Sequence, residues 1–257
     1  AYTAHPYGRP NIGWSSDITA TTMEDTREFY ETYYVPNNIT IAIVGDIQVE
    51  RAKELARQYF GDMESAPEPP PVYTEEPEQR GERRFTIQGQ SQPFFIMGYH
   101  TVPQSHPDFQ ALQLLGTVLS GGRTSILYKR MVEEEQNALQ VGAFNGFPGT
   151  KFETMFATFA VPNREVSVDT LETTILEEIE NVKAGEISPE ALDRARTNAR
   201  ANLIRSLDSN SGIASTLAGA ESMRGNWRKV FSDIQDLQEV TVDDLQRVAK
   251  KYLTKDN

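Results

Sequence analysis

The residues able to do chemistry are few. The chain has three histidines, His5, His100 and His106, and no cysteine, which excludes disulfides, iron–sulfur clusters and thiolate metal sites. His100 and His106 lie on either side of a turn containing Pro103, and no third ligand stands in evident reach, so a metal role for the pair has little support. His5, beside Pro6 and Tyr7, reads first as a loop-packing residue. Three histidines with ordinary neighbours offer no Ser–His–Asp geometry. Ser120-Gly121-Gly122-Arg123-Thr124-Ser125 could turn backbone amides toward an anion, but it lacks the lysine and the spacing of a P-loop and reads as a connection between helices. Glu133-Glu134-Glu135 closes a helical pattern and reads as a solvated face. Ile43-Val44-Gly45-Asp46 carries one glycine after a strand pattern, which is a structural turn before it is a nucleotide site.

Composition narrows the function classes further. Of 257 residues, 37 are acidic and 25 basic, a formal charge of -12 with no basic run to offset it. Non-specific nucleic-acid binding needs basic side chains that displace counterions from phosphates, so nucleic acid is not an expected partner. No apolar run approaches the roughly 18–20 residues that cross a bilayer, and the first residues lack the basic-then-apolar order of a signal peptide.

The elements that must position these residues follow from pattern. Pro6, Gly8, Pro10 and Gly13 predict a turn-punctuated loop. Thr22 ahead of Glu24-Asp25, with Phe29, Tyr30, Tyr33 and Tyr34 at helical spacing, predicts a capped helix that Pro36-Asn37-Asn38 stops. Ile39 to Val44 predicts a buried strand, and Val49 to Tyr59 a helix ending at Gly61. Residues 64–82 change composition to proline and glutamate and read as an extended linker. Beyond it come strands at Arg84–Gln88 and Pro93–His100, a helix at Pro107–Leu119, and a second helix capped by Thr124 or Ser125 that carries Ile126, Leu127 and Met131. Strands at Ala138–Phe144 and Thr154–Val161 follow, then three long helical stretches, one opened by Ser188-Pro189. Strands followed by helices indicate an α+β layer, with an antiparallel-type sheet covered by helices.

Comparing the two ends exposes a repeat. Thr22-Met23-Glu24-Asp25 through Tyr33 matches Thr241-Val242-Asp243-Asp244 through Tyr252, with Thr, acid, Asp and Tyr in register 219 residues apart. That spacing suits a duplicated domain and is far too long for a solenoid. The expectation is two homologous repeats: residues 1–63 the C-terminal part of the first, 64–82 the linker, and 83–257 the second, lacking its last strand. The same offset places the start of the first copy roughly 130 residues upstream of Ala1, within the usual range of domain sizes.

His5-Pro6-Tyr7-Gly8-Arg9-Pro10, Tyr33-Tyr34-Val35-Pro36-Asn37-Asn38 and Ile43-Val44-Gly45-Asp46, in that order, resemble the pitrilysin/insulinase family of zinc metallopeptidases. Ser120 to Tyr128 resembles the glycine-containing turn and following helix of that family's second repeat. The resemblance implies two α+β repeats that pair with another such pair around a peptide, and a zinc site on an inverted H-x-x-E-H motif in the first repeat. No histidine here starts or completes that motif, and Leu112–Leu119, the corresponding stretch of the second repeat, has neither His nor Glu. The expectation is therefore no cofactor in this chain, zinc in its intact parent, and no activity for the chain alone. The resemblance makes Ser120, Gly121, Gly122 and Arg123 the candidate substrate-binding residues. It puts Val132 and Leu139 where some members carry a paired arginine and tyrosine, with Arg130 and Asn137 the alternatives under a two-residue shift. It implies as partners a peptide substrate and either the missing first-repeat half or a homologous subunit, and it alone favours a bacterial periplasmic address. Two rivals stand beside this reading: a non-catalytic homologue serving in assembly, and an unrelated α+β binding domain.

Overall fold

The computed structural model describes residues 1–257, which divide into two compact units: residues 78–205 with 228–257, and residues 2–77 with 206–227.

The first unit is a three-stranded antiparallel sheet under helices. Strands β1 (Phe95–Thr101), β2 (Ala138–Phe147) and β3 (Thr154–Pro162) lie in the order β1-β3-β2. The register sets Gly98 opposite Ala157 and Phe144 opposite Ala157 from the other side. Helix α4 (Phe109–Ser120) is apolar almost all round and packs on β2. Gly116 permits that approach, because a Cβ there would stand 3.0 Å from the Ala143 carbonyl. Helices α5 (Val168–Ala184) and α9 (Val242–Tyr252) complete the layer, with α6 (Pro189–Ser206) and α8 (Lys229–Glu239) alongside. Leu112, Leu115, Leu119, Phe156, Leu171, Ile175, Leu245 and Val248 interdigitate in one continuous core, every member of which belongs to this unit. Small polar caps start these helices where the sequence offers them: Ser167 accepts from the Thr170 amide, Ser188 from that of Ala191 and Thr241 from that of Asp244.

The second unit holds α1 (Ser15–Ala20), α2 (Met23–Tyr33), α3 (Val49–Phe60) and α7 (Asn210–Arg224). None of α1, α2 or α3 contains a buried residue. Glu76, inside the proline- and glutamate-rich segment, ties the start of the chain down by accepting from the backbone amides of Thr3, Ala4 and His5 at 2.7–2.9 Å. Burial alone would raise its pKa, but these bonds and the Thr3 hydroxyl outweigh it and hold the carboxyl at about 2.

Several expected elements differ in the structure. Ile39–Val44 and Arg84–Gln88 belong to no sheet, since neither has a neighbouring strand to complete a ladder. The helix expected after Ser125 is largely π-helical, over Tyr128–Glu134. The three closing helical stretches are five separate helices, α5 to α9. A 3-10 turn at Pro6–Gly8 and helix α1 interrupt what reads as loop.

The repeat appears in the geometry. Thr22 and Thr241 both close capping boxes, with backbone angles of -98°, 170° and -99°, 168°. Asp25 and Asp244 each accept from the threonine amide and hydroxyl of their own box. At the other end, Asn38 Nδ2 donates to the Tyr33 carbonyl at 2.8 Å and Asn257 Nδ2 to the Tyr252 carbonyl at 2.6 Å. Both helices thus start and stop by the same devices at one offset.

Candidate functional site

The turn after α4 is built by glycine and anchored by serine. Gly121 caps the helix by donating to the Thr117 carbonyl, and a Cβ there would lie 2.4 Å from that oxygen. Gly122 follows at φ +102°, a conformation that favours glycine. Ser120 faces the other way. Its hydroxyl accepts from the Ala143 amide at 2.7 Å and lies 2.9 Å from the Ala143 carbonyl, which clamps the end of α4 to β2. Ser125 Oγ donates to the Gly122 carbonyl at 2.6 Å and closes the turn. Gly121, Gly122, Arg123 and Thr124 are left exposed as a short apex.

The segment after the turn contains a charge network. Arg130 Nε, Nη2 and Nη1 reach Glu135, Glu177 and Glu178 at 2.6, 2.5 and 2.6 Å, joining the π-helical turn to α5. The bond to Glu135 is the main cause of a guanidinium pKa raised above its ordinary value. The second oxygen of Glu135 accepts from Asn137 Nδ2 at 2.6 Å. Arg130 and Asn137 therefore meet through one carboxylate and stabilise structure. Val132 packs against the core, whereas Leu139 on β2 is exposed.

Both outer strands present backbone edges, since β3 lies between them. On the sheet surface Phe94 stacks on Phe159 with centroids 5.8 Å apart, Phe144 meets Phe159 at 6.4 Å, and Phe144 meets Phe147 edge-on at 6.3 Å. Gly142 makes room for the Phe159 ring, whose nearest atom would be 2.1 Å from a Cβ there. Phe94, Phe144 and Phe147 remain substantially exposed, so this aromatic surface is a second place where an apolar chain could rest. In the sequence Phe94-Phe95 reads as core. Phe95 packs against the core, and Phe94 does not.

The histidines are engaged separately. His5 Nδ1 accepts from the Tyr7 amide at 3.1 Å, its ring against Tyr2 and Tyr7. His106 Nδ1 accepts from the Asp108 amide at 3.0 Å, and His100 lies on β1. Nowhere do three or more His, Asp or Glu side chains converge as a metal cage requires. The donor set of this chain does not fit the zinc that the resemblance implies.

Sequence reasoning passed over Asp108, a buried acid at the start of α4. It accepts from Arg247 at 2.7 Å, from Lys251 at 2.9 Å and from the Tyr252 hydroxyl at 2.6 Å, which locks the start of α4 to α9. Burial favours its neutral form, but the Tyr252, Lys251 and Arg247 bonds prevail and hold its pKa well below the usual carboxylate range. The signal available in the sequence was the cationic spacing of Arg247 and Lys251 on one helical face.

These features define an α+β unit, a three-stranded antiparallel sheet under helices. The family model for the peptidase M16 inactive domain matches residues 20–199, and the chain belongs to that family. It is 31% identical over 261 residues to the zinc protease PqqE of Helicobacter pylori, covering 98% of this chain and 57% of the relative. An uncharacterized zinc protease of Mycobacterium leprae is 26% identical, with 98% and 56% covered. The chain thus spans little more than half the length of these relatives. Among solved structures, a protease from Helicobacter pylori superposes with a TM-score of 0.91 at 28% identity over 99% of this chain and 62% of that one. A peptidase M16 inactive domain from Pseudomonas fluorescens has the same fold, with a TM-score of 0.82 at 22% identity over 99% and 60%.

Proposed function

We propose that this chain is the non-catalytic part of a zinc-dependent peptidase, supplying chamber wall, substrate-facing surface and interface while zinc is held elsewhere. The match to the inactive domain carries the reading, on a fold in which His5 and His106 accept hydrogen bonds from neighbouring backbone amides. In this reading residues 1–63 belong to a first repeat, 64–82 connect, and 83–257 form the second. The apex Gly121-Gly122-Arg123, held in place by Ser120, touches the peptide, and an exposed strand edge binds it in extended form by main-chain hydrogen bonds. The partners are the zinc-bearing half of the same protein or a homologous subunit.

The test is to measure bound zinc and hydrolysis of a fluorogenic peptide on this chain and on the longer protein that the proposal places it in. The expected result is metal and cleavage in the longer protein only. Stoichiometric zinc with cleavage by this chain alone would overturn the proposal. Absence of both from the longer protein would replace it with the assembly role.

A further inference from the structure

The loop His5-Pro6-Tyr7-Gly8-Arg9-Pro10 has no part in the function proposed above, yet it is tightly organised. His5 is buried, its Nδ1 accepts from the Tyr7 amide, and the Tyr7 ring meets the rings of Tyr2 and His5 with centroids 5.7 and 4.7 Å apart. The His5 carbonyl accepts from the Gly8 amide and the Pro6 carbonyl from that of Arg9, each at 3.0 Å. Gly8 lets the chain fold back on itself, since a Cβ there would stand 2.9 Å from the Tyr2 carbonyl oxygen. Folded in this way, the chain turns the successive amides of Thr3, Ala4 and His5 toward one point, a nest of the kind that holds an anion.

The anion comes from far along the chain. Glu76 Oε1 accepts from the Thr3 amide and hydroxyl at 2.7 and 2.6 Å, and Oε2 from the amides of Ala4 and His5 at 2.9 Å each. Between Glu64 and Gly81 every hydrogen bond ends on this carboxylate. Pro77 follows it directly and restricts Glu76 to extended backbone. With Pro67, Pro69, Pro70 and Pro71 it also lowers the entropy lost when the segment is held. A second fastening stands at the other end, where Arg84 Nη1 and Nη2 grip Glu172 of α5 at 2.7 and 2.5 Å as a bidentate pair. Each fastening lies within one of the two units. Residues 77–81 between them make no hydrogen bond, and Arg80 is exposed there.

We propose that residues 3–9 are a receptor for the Glu76 carboxylate, and that Glu76 and Arg84 together fasten residues 64–82 as a strap where composition alone gives a free linker. The receptor requires a carboxylate at this reach. Glutamine in place of Glu76 offers one acceptor oxygen to four donors and sets its own NH2 group against amide N–H groups. Aspartate ends one methylene short of the nest. The strap goes beyond the function proposed above and does not rest on it, because fastening needs neither zinc nor peptide.

Trypsin cleavage after Arg80 and hydrogen exchange at residues 3–5, both measured on the longer protein, test the proposal. Glu76→Gln is expected to speed both by about tenfold or more, since a hydrogen bond to a charged group contributes at least that factor. Thr3→Val removes one donor, acts less strongly alone, and adds little on top of Glu76→Gln because the two groups share one interaction. Arg84→Gln loosens only the far end, so cleavage after Arg80 quickens while exchange at residues 3–5 stays as in wild type. Unchanged exchange and cleavage in Glu76→Gln would overturn the receptor. Faster exchange spread equally through α2 and α3 would refute the strap by making Glu76 a general stabiliser of its unit. Cleavage that Glu76→Gln quickens and Arg84→Gln does not would remove Arg84 as the second fastening. None of these readouts needs peptidase activity, so the strap and the function proposed above fail independently.

Discussion

Asp108 carries the clearest energetic consequence of a single side chain. It is only 8% exposed, while Arg247 and Lys251 are 49% and 52% exposed, so water screens the cations it gathers. Asp108→Asn removes the anion and leaves the Tyr252 hydroxyl and two cations facing an amide. The expected loss is about 2 kcal/mol in urea unfolding, below the full cost of breaking a buried ion pair because of that screening. The pH dependence follows from the lowered pKa. The stabilisation is complete above the unfolded carboxyl value near about 4 and disappears as pH falls toward the lower folded value, so the gap between wild type and Asp108→Asn closes below about pH 4. A gap that stays constant down to strongly acidic pH would mean that the ion pairs contribute nothing.

Ser120 and Arg123 are neighbours with opposite expectations. Ser120→Ala deprives the Ala143 amide of its acceptor and is expected to cost about 1–3 kcal/mol, read as a lower urea midpoint. Arg123→Ala lies on an exposed apex and should shift stability by less than about 0.5 kcal/mol. On the proposed function it raises KM for peptide in the longer protein and leaves zinc content alone. A drop in stability with unchanged KM would place Arg123 in the scaffold instead.

At the scale of elements, the two capping boxes make a controlled comparison. Thr241→Ala weakens a helix whose inner face is in the core, so about 1 kcal/mol of global stability should be lost. Thr22→Ala weakens a helix with no buried residue, and the loss should stay local, seen as faster exchange in α2 at an unchanged global midpoint. Both boxes, and the repeat they belong to, were legible because Thr-x-x-Asp ahead of an apolar periodicity is a local signal. The helix at 109–120 and strands β1 to β3 were legible for a related reason, since their periods match the faces they bury. Ile39–Val44 and Arg84–Gln88 show where such reading stops. Their β-branched and alternating residues suit a pleated surface, but a strand exists only when a neighbour supplies its hydrogen bonds, and that depends on tertiary structure. The π-helical stretch at Tyr128–Glu134 leaves no mark that periodicity over so few residues can separate from an α-helix. The candidate site was legible at its glycines, whose turn is a local matter. The Asp108 cluster was hidden by the long sequence separation between α4 and α9.

The two units of the molecule bury very different numbers of residues. The continuous core, from Tyr99 to Leu253, belongs entirely to the unit formed by residues 78–205 and 228–257, while the other unit buries little beyond His5, Val35 and Ala220. Apolar burial is the main favourable term in folding, so opening free energies should differ widely between the units. Heating the isolated chain is expected to give two transitions. Amides of α2 and α3 should exchange in the first, while those of α4, β2, β3 and α9 stay protected until the second. A calorimetric trace with one transition, and a van't Hoff enthalpy equal to the calorimetric one, would contradict this by making the chain a single cooperative block. If residues 1–63 belong to a first repeat that the longer protein completes, as proposed above, the lower transition is the one that completion moves. Binding that favours only the folded form raises the opening free energy of the residues it touches. In the longer protein the first transition should therefore rise toward the second, with the protection appearing at Phe29, Tyr30, Tyr33 and Ile39–Val44 and little change in the core around Leu115.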